Sequence, residues 1–194
     1  GFINDIGFET YQKILNEAIE ELKETEFKSL YNEDINTKEF VRDVTIDTDF
    51  SLLFPDDYIN NITERLSLYT KLNTFKNEDE LLLFERGLTD RFGPLPTQVV
   101  DLLDSVRIKW IATTLGFEKV VMKNHKLVGY FISDQDSRFY QSVHFSKVLQ
   151  YVQTHPKACT VKEKQMRMGL RLLMTFSNID SVRQGLEAMK PILA

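Results

Sequence analysis

Apolar residues in the first 116 positions recur mostly at steps of three and four, which is the period of an α-helix. A first stripe predicts one helix near the N-terminus, and its apolar positions are Phe8, Tyr11, Leu15, Ala18 and Leu22. Three further stripes follow Pro55. Their apolar positions are Ile59, Ile62, Leu66, Tyr69 and Leu72; then Leu81, Phe84 and Leu88; then Val99, Leu102, Leu103, Val106 and Trp110. The pattern predicts a helix, a polar linker over 24–40 and then three helices whose stripes form a core.

Turn and cap residues set the predicted ends of the three later helices. The segment Pro55-Asp56-Asp57 offers a cap for the first of them, and Asn77 caps the second. Gly93-Pro94 ends the second helix, Pro96 opens the third, and Gly116 ends it.

Residues 41–50 change to a period of two. Val44, Ile46 and Phe50 share one parity, and Asp43, Asp47 and Asp49 fall on the other. This alternation predicts a half-exposed strand at the edge of a sheet, with the aspartates as solvated edge charges rather than metal ligands.

The last third of the chain is also predicted to consist mainly of strands. Residues 117–123 and 126–132 form a predicted hairpin that turns at Asn124-His125. A helix then ends before His155-Pro156, and two strands follow over 158–164 and 166–176. Ser177-Asn178 is predicted to cap a final helix. The order ββαββα predicts an α+β module, a four-stranded antiparallel sheet with two helices on one face.

Composition places the chain among ordinary globular domains, since 42% of its 194 residues are apolar and 27% are charged. We expect residues 1–40 to be a connecting helix and linker, and 41–194 to be a domain with a helical part (55–116) and an α+β part (117–194). No apolar run is long enough to span a membrane and no signal peptide is visible, so we expect a cytoplasmic location. The chain begins with Gly1 rather than Met, as a piece of a larger protein would.

Motifs for catalysis or cofactor binding are missing from the sequence. It has no glycine-rich phosphate loop, no G-x-S-x-G and no H-E-x-x-H. One cysteine and three dispersed histidines argue against a metal site on composition. Cys159 falls on a buried parity of a predicted strand, as a core cysteine does. We therefore assign no catalytic, cofactor-binding or metal-binding residue.

Charge is distributed unevenly along the chain. Residues 1–40 carry 4 basic and 10 acidic groups, whereas residues 117–194 carry 12 basic and 6 acidic groups. The candidate partner-binding residues are the basic set Lys162, Lys164, Arg167 and Arg171, which flank one tight turn. Such a face could meet phosphates, an acidic protein surface or only solvent. Nucleic-acid-binding sheets usually expose aromatic residues, and only Tyr130 and Tyr140 suggest any here.

Two stretches resemble known proteins. The opening GFINDIGFETY, with Leu15 and Ala18, resembles the segment after the last motor motif of RecG-like DNA translocases. The run DRFGPLP at 90–96, with Val99, Leu102, Leu103 and Arg107, resembles the C-terminal domain of bacterial transcription-repair coupling factors. PDDYI at 55–59 and RLSLY at 65–69 are similar to the same family. The chain is thus identified as a member of that family, with the end of its motor region in front.

The resemblance implies a function that the residues alone do not. Parent proteins of this family use an ATP-driven DNA translocase to move stalled RNA polymerase and then recruit the damage-recognition subunit of excision repair. The resemblance implies a non-catalytic C-terminal domain that packs on an N-terminal, excinuclease-B-like module, restrains the ATPase and masks recruitment. ATP would be used by the parent's motor only. The alternatives are an autonomous nucleic-acid-binding domain that uses the basic last third, and a small enzyme.

Overall fold

The computed structural model describes residues 40–194. The predicted helix over 8–22 and the linker up to residue 39 lie outside the described residues. The described part contains five strands and five α-helices: β1 (Thr45–Thr48), α1 (Ile62–Leu72), α2 (Glu78–Phe92), α3 (Thr97–Leu115), β2 (Phe117–Lys123), β3 (Lys126–Phe131), α4 (Val143–Thr154), β4 (Cys159–Met166), β5 (Gly169–Ser177) and α5 (Val182–Met189). Short 3₁₀ helices lie at Arg138–Gln141 and Lys190–Leu193. No described helix is long and apolar enough to cross a membrane.

The predicted ends of α2 and α3 are confirmed. The Asn77 side chain accepts a hydrogen bond from the Glu80 backbone N–H (3.0 Å), which satisfies one free donor at the start of α2. Gly93 follows the last residue of α2, and Gly116 adopts the left-handed conformation after α3.

The expected start of α1 was wrong, and its expected buried face is confirmed only at Tyr69 and Leu72. The helix is capped by Asn61 rather than by the Pro55-Asp56-Asp57 segment, and Ile59 is buried in the turn before it. Leu68 lies on the buried face with Leu72, while Ile62 and Leu66 are exposed on the outer side of the helix. A similar shift occurs in α5, where Ser181 rather than Ser177-Asn178 caps the helix.

The sheet has five strands in the order β1-β2-β3-β5-β4, which corrects the prediction of four. Strands β2, β3, β5 and β4 are antiparallel as expected, and β1 is an edge strand as expected. However, β1 joins this same sheet and runs parallel to β2, with Thr45 opposite Lys119 and Thr48 opposite Met122. The Thr48 hydroxyl donates to the Met122 carbonyl (2.8 Å), and Lys123 pairs with Asp47 (3.0 Å). About 70 residues separate these partners, so no local pattern could reveal the pairing.

The β4–β5 turn also corrects the predicted strand over 166–176. Arg167 and Met168 form the turn, and Met168 is 97% exposed instead of lying on the buried face. From Leu170 to Phe176 the predicted alternation holds, with Leu172, Met174 and Phe176 buried.

Three helices, rather than the two expected, cover one face of the sheet. Helices α3, α4 and α5 bury side chains in a single core with strands β2 to β5. A second core lies among α1, α2 and the start of α3. Helix α3 serves both cores, since Val99 and Leu103 pack in the second and Ile108 and Ala112 in the first. Trp110, expected at the buried side, is only partly buried, and its indole N–H donates to the Phe75 carbonyl (3.3 Å).

Candidate interaction surfaces

The sheet face opposite helices α3, α4 and α5 has no described helix packed on it. We call this surface the open face. Its side chains are half-buried or exposed, and the strand registers place them side by side. They are Asp47 of β1; Lys119, Val121 and Lys123 of β2; Lys126, Val128 and Tyr130 of β3; Thr160, Lys162 and Lys164 of β4; and Arg171, Leu173 and Thr175 of β5. The face combines an apolar centre with lysines toward its margins.

The structure brings three of the four predicted partner-binding residues together on the open face. Lys164 lies directly opposite Arg171, and Lys162 lies opposite Leu173. Lys162 and Lys164 are exposed and form no ion pair within residues 40–194. Arg167 is exposed in the turn that joins β4 to β5, at the end of the same strands rather than on the face. Their role in partner binding stays a prediction.

Arg171 differs from the other three because its guanidinium is engaged inside the domain. Its Nε donates to the Phe131 carbonyl (3.0 Å) and its Nη2 to a Glu118 carboxylate oxygen (3.0 Å). The same Glu118 oxygen accepts the Ser133 backbone N–H (2.6 Å). Arg171 therefore helps to hold β5 against the end of β3, and its charge is partly compensated.

Tyr130 is the aromatic residue of the open face, and the sequence pattern indicated it only weakly. The Lys119 ammonium lies 5.5 Å from its ring centroid and the Arg171 guanidinium carbon 5.6 Å from it, both within the range of cation–π attraction. Tyr140, the other aromatic considered, is buried in the helix-covered core and is not on this face.

A second uncovered surface lies on α1 and α2, and the sequence analysis missed it. A groove of about 310 Å³ runs between these helices, lined by Leu68, Phe75, Leu83, Phe84 and Leu88, with Lys71 and Arg91 at its margins. Leu83 is 69% exposed, and Ile62, Leu66 and Leu82 are also exposed. An apolar groove that is open to solvent is typical of a surface that meets another protein. The helical stripes predict core positions in these helices, so the pattern alone does not reveal the groove.

The ionisable groups of one cleft bind one another. A cleft of about 490 Å³ among α2, α3 and α5 contains Glu78, Arg107 and Arg183, but Arg107 is committed to Glu78 (2.7 Å) and to Asp104 (2.8 Å). His125 contacts Asp180 at an exposed site. Within residues 40–194, no three His, Cys, Asp or Glu side chains are grouped as a metal site requires.

The Cys159 thiol is expected to be unreactive in the folded chain. The residue is buried at the start of β4, and burial raises the pKa of its thiol to about 11. Because the thiolate is the nucleophile, reaction with a disulfide reagent at pH 8 should be at least about 100-fold slower than in the urea-unfolded chain. A reagent-release assay under both conditions measures the ratio. Comparable rates would mean that the thiol is accessible.

Comparisons with known proteins agree with the resemblance noted in the sequence. A family model described as the TRCF domain matches residues 48–142. Transcription-repair-coupling factor of Rickettsia conorii is 29% identical over 174 residues, which cover 90% of this chain and 14% of the relative. That of Escherichia coli is 34% identical over 120 residues, which cover 62% of this chain and 10% of the relative. The chain thus spans a small part of the curated relatives it matches.

The fold is also similar to a solved structure. The crystal structure of the C-terminal domain of a transcription-repair coupling factor superimposes with a TM-score of 0.58 at 16% identity, covering 78% of this chain and 92% of that one. The motifs and the matched residues agree, and the chain belongs to the TRCF domain family, with the fold of the C-terminal domain of a transcription-repair coupling factor.

Proposed function

We propose that this chain is a non-catalytic interaction domain that regulates its parent protein. It packs on the N-terminal, excinuclease-B-like module, restrains the parent's ATP-driven translocase and masks the surface that recruits the damage-recognition subunit of excision repair. Its direct partner is that module, and its link to RNA polymerase is indirect. The proposed location is the cytoplasm.

The open face is the observation that supports this proposal most. A sheet with helices on one side leaves its other side for a further layer, and here the uncovered side has an apolar centre of Val121, Val128 and Leu173. An apolar centre with a polar rim is the usual composition of a protein–protein interface. The basic rim would match an acidic surface on the module.

A domain that acts by occupying a surface needs no reactive groups of its own. In the cleft among α2, α3 and α5, Arg107 pairs with Glu78, and the groove between α1 and α2 is lined mainly by apolar side chains. Because the domain is tethered to its partner, a weak contact suffices: tethering gives an effective concentration of about millimolar. A polar rim also allows release when the parent engages its target.

Charge reversal on the basic set tests the proposal. In the full-length parent, replacing Lys162, Lys164 and Arg167 together by Glu should raise basal ATPase activity several-fold and expose the recruitment surface, because an acidic partner would then be repelled. Arg171 is left unchanged, since its bonds to Phe131 and Glu118 would confound the result. ATPase rate and pull-down of the damage-recognition subunit are the measurements.

A matched control reverses three exposed cations elsewhere, Lys76, Arg86 and Arg138, and should leave both readouts unchanged. If the first variant also behaves like wild type, the basic set does not hold the restrained state. Exposed Asp56 and Asp57 would then be tested as the contact. Asp104, which the acidic composition also suggested, is fully buried and cannot face a partner.

A further inference from the structure

The strand registers place the side chains of the open face in rows that run across the strands. Lys119, Tyr130, Leu173 and Lys162 form one row across strands β2, β3, β5 and β4. The next row is Val121, Val128, Thr175 and Thr160. Tyr130 therefore lies in the interior of the face, between Lys119 and Leu173 in its own row and next to the row that contains Val121 and Val128.

Charge on the face is strongly one-sided. Six cations belong to it, namely Lys119, Lys123, Lys126, Lys162, Lys164 and Arg171, against the carboxylates of Asp47 and Glu118. Both carboxylates are already used, by Lys123 (3.0 Å) and by Arg171 (3.0 Å). Lys126, Lys162 and Lys164 have no ion-pair partner in the described part of the chain. Within residues 40–194, the surplus positive charge thus lies around the apolar centre.

We propose that Tyr130 is the anchor of the open face and that its occupant is an acidic protein segment with apolar side chains. The apolar side chains cover Tyr130, Val128 and Leu173, and the carboxylates of the segment pair with the lysines of the rim. This inference rests on the proposed function, since it names the chemistry that the N-terminal module must present at this surface.

Tyr130 is suited to anchor a partner because its ring is held in place before binding. Lys119 and Arg171 lie on it at 5.5 and 5.6 Å, and Arg171 is itself fixed by the Phe131 carbonyl and by Glu118. A side chain that is ordered in advance loses little conformational freedom on binding. Tyrosine and arginine near the centre of an interface commonly contribute most of the binding energy.

The face fits a protein segment better than a nucleic acid. Surfaces that bind single strands stack successive bases on several aromatic side chains. Here Tyr130 is the one aromatic ring among the open-face residues, and its neighbours in register are Lys119 and Leu173. Valine and leucine side chains offer contact to apolar protein side chains but no stacking platform, while the lysines suit carboxylates as well as phosphates.

The test measures binding of the 194-residue chain to the separately produced N-terminal module of its parent by calorimetry. Tyr130→Ala should weaken binding at least about tenfold, whereas Tyr130→Phe, which keeps the ring, should stay within about twofold of wild type. Lys162→Gln with Lys164→Gln should weaken binding and flatten its salt dependence. Lys76→Gln with Arg86→Gln, two exposed cations that lie off the open face, is a control that should have no effect. Thermal melts verify that each variant is folded.

The possible outcomes separate this inference from the proposed function. If wild type binds the module and Tyr130→Ala binds equally well, the domain interacts through another surface, so the anchor is wrong while the proposed function stands. If wild type does not bind the module, both are wrong. A fluorescent oligothymidylate of about twelve nucleotides should bind at least about tenfold more weakly than the module. Tighter binding of the oligonucleotide, or a dimer of the chain that Tyr130→Ala abolishes, would overturn the protein-segment assignment.

Discussion

Replacing Asp104 by Ala is expected to destabilise the domain by about 3 kcal/mol, because it leaves two arginines without their shared carboxylate inside the fold. Asp104 is fully buried in α3. One of its oxygens accepts a hydrogen bond from Arg107 (2.8 Å), and the other lies 3.1 Å from Arg183 Nε in an ion pair whose angle does not make a hydrogen bond. The expected loss of stability is at the lower end of the range of about 3–5 kcal/mol for breaking a buried ion pair. The reason is that Arg183 is half exposed and Arg107 keeps Glu78 as a partner.

Because of the position of Asp104, this loss of stability should affect the whole domain rather than α3 alone. Arg107 connects Asp104 to Glu78 at the start of α2, and Arg183 belongs to α5, which packs on the sheet. The network therefore joins the helical core to the sheet core. The Arg107 hydrogen bond holds the pKa of Glu78 below its usual value. That stabilisation is present at neutral pH and is lost as pH falls through the lowered pKa.

Urea unfolding at pH 7 measures the effect, with Asp101→Asn as the matched control. Burial, together with the nearby Asp104 charge, raises the pKa of Asp101, so its charged form is disfavoured in the folded chain. A raised acid pKa costs stability above the unfolded pKa, so Asp101→Asn should be neutral or slightly stabilising at pH 7. A loss below about 1 kcal/mol for Asp104→Ala would mean that water reaches both arginines.

Local structure could be predicted well from the sequence because the responsible interactions are local. The Asn77 cap acts on Glu80, only three residues away, and Gly116 ends α3 through its own backbone conformation. The alternation from Leu170 to Phe176 likewise needs no distant partner to be recognised. Antiparallel pairing of β2 with β3 and of β4 with β5 follows from short connections, whereas β3 pairs with β5 although α4 and β4 lie between them in sequence.

Features that depend on distant residues could not be predicted in the same way. The parallel pairing of β1 with β2 joins residues 74 positions apart, as Thr48 and Met122 are. The stripe of α1 contains enough apolar positions for two faces, and Leu68 and Leu72 are buried rather than Ile62 and Leu66 because they pack against α2 and the start of α3. From the sequence alone, Asp104 would be expected on the surface, because charged residues are mostly exposed. Its two arginine partners explain why it is buried.

The candidate site was predicted in composition but not in layout. Strand alternation placed Lys162, Lys164 and Arg171 on one face, and the register confirms that they share it. Arg171 differs from the other members of the basic set, because its guanidinium binds the Phe131 carbonyl and Glu118 inside the domain. Tyr130 gains its position only from the pairing of β3 with β5, which brings it beside Leu173.

Gly116→Ala is expected to destabilise the domain by about 3 kcal/mol, the other large effect. Gly116 has φ +82°, where a non-glycine residue costs about 1 kcal/mol or more. A Cβ at this position would also lie 2.3 Å from the ring of Phe139, a contact that cannot be kept. Phe139 is buried among Phe131, Tyr140 and Phe145, so its ring has little room to move, and overpacking of this kind costs about 1–3 kcal/mol.

The same substitution at Gly87 is the matched control for Gly116→Ala. Gly87 lies inside α2, and a Cβ there meets nothing within 4 Å, so alanine should stabilise the helix by about 0.5–1 kcal/mol. The two variants should therefore change the free energy of unfolding in opposite directions in one urea series.

The size of the effect at Gly116 depends on Phe139. In a Phe139→Leu background, the loss of unfolding free energy caused by Gly116→Ala should fall to the part that comes from the backbone conformation alone. An equal cost in both backgrounds would place the whole effect in the backbone, and the ring would then be free to move away.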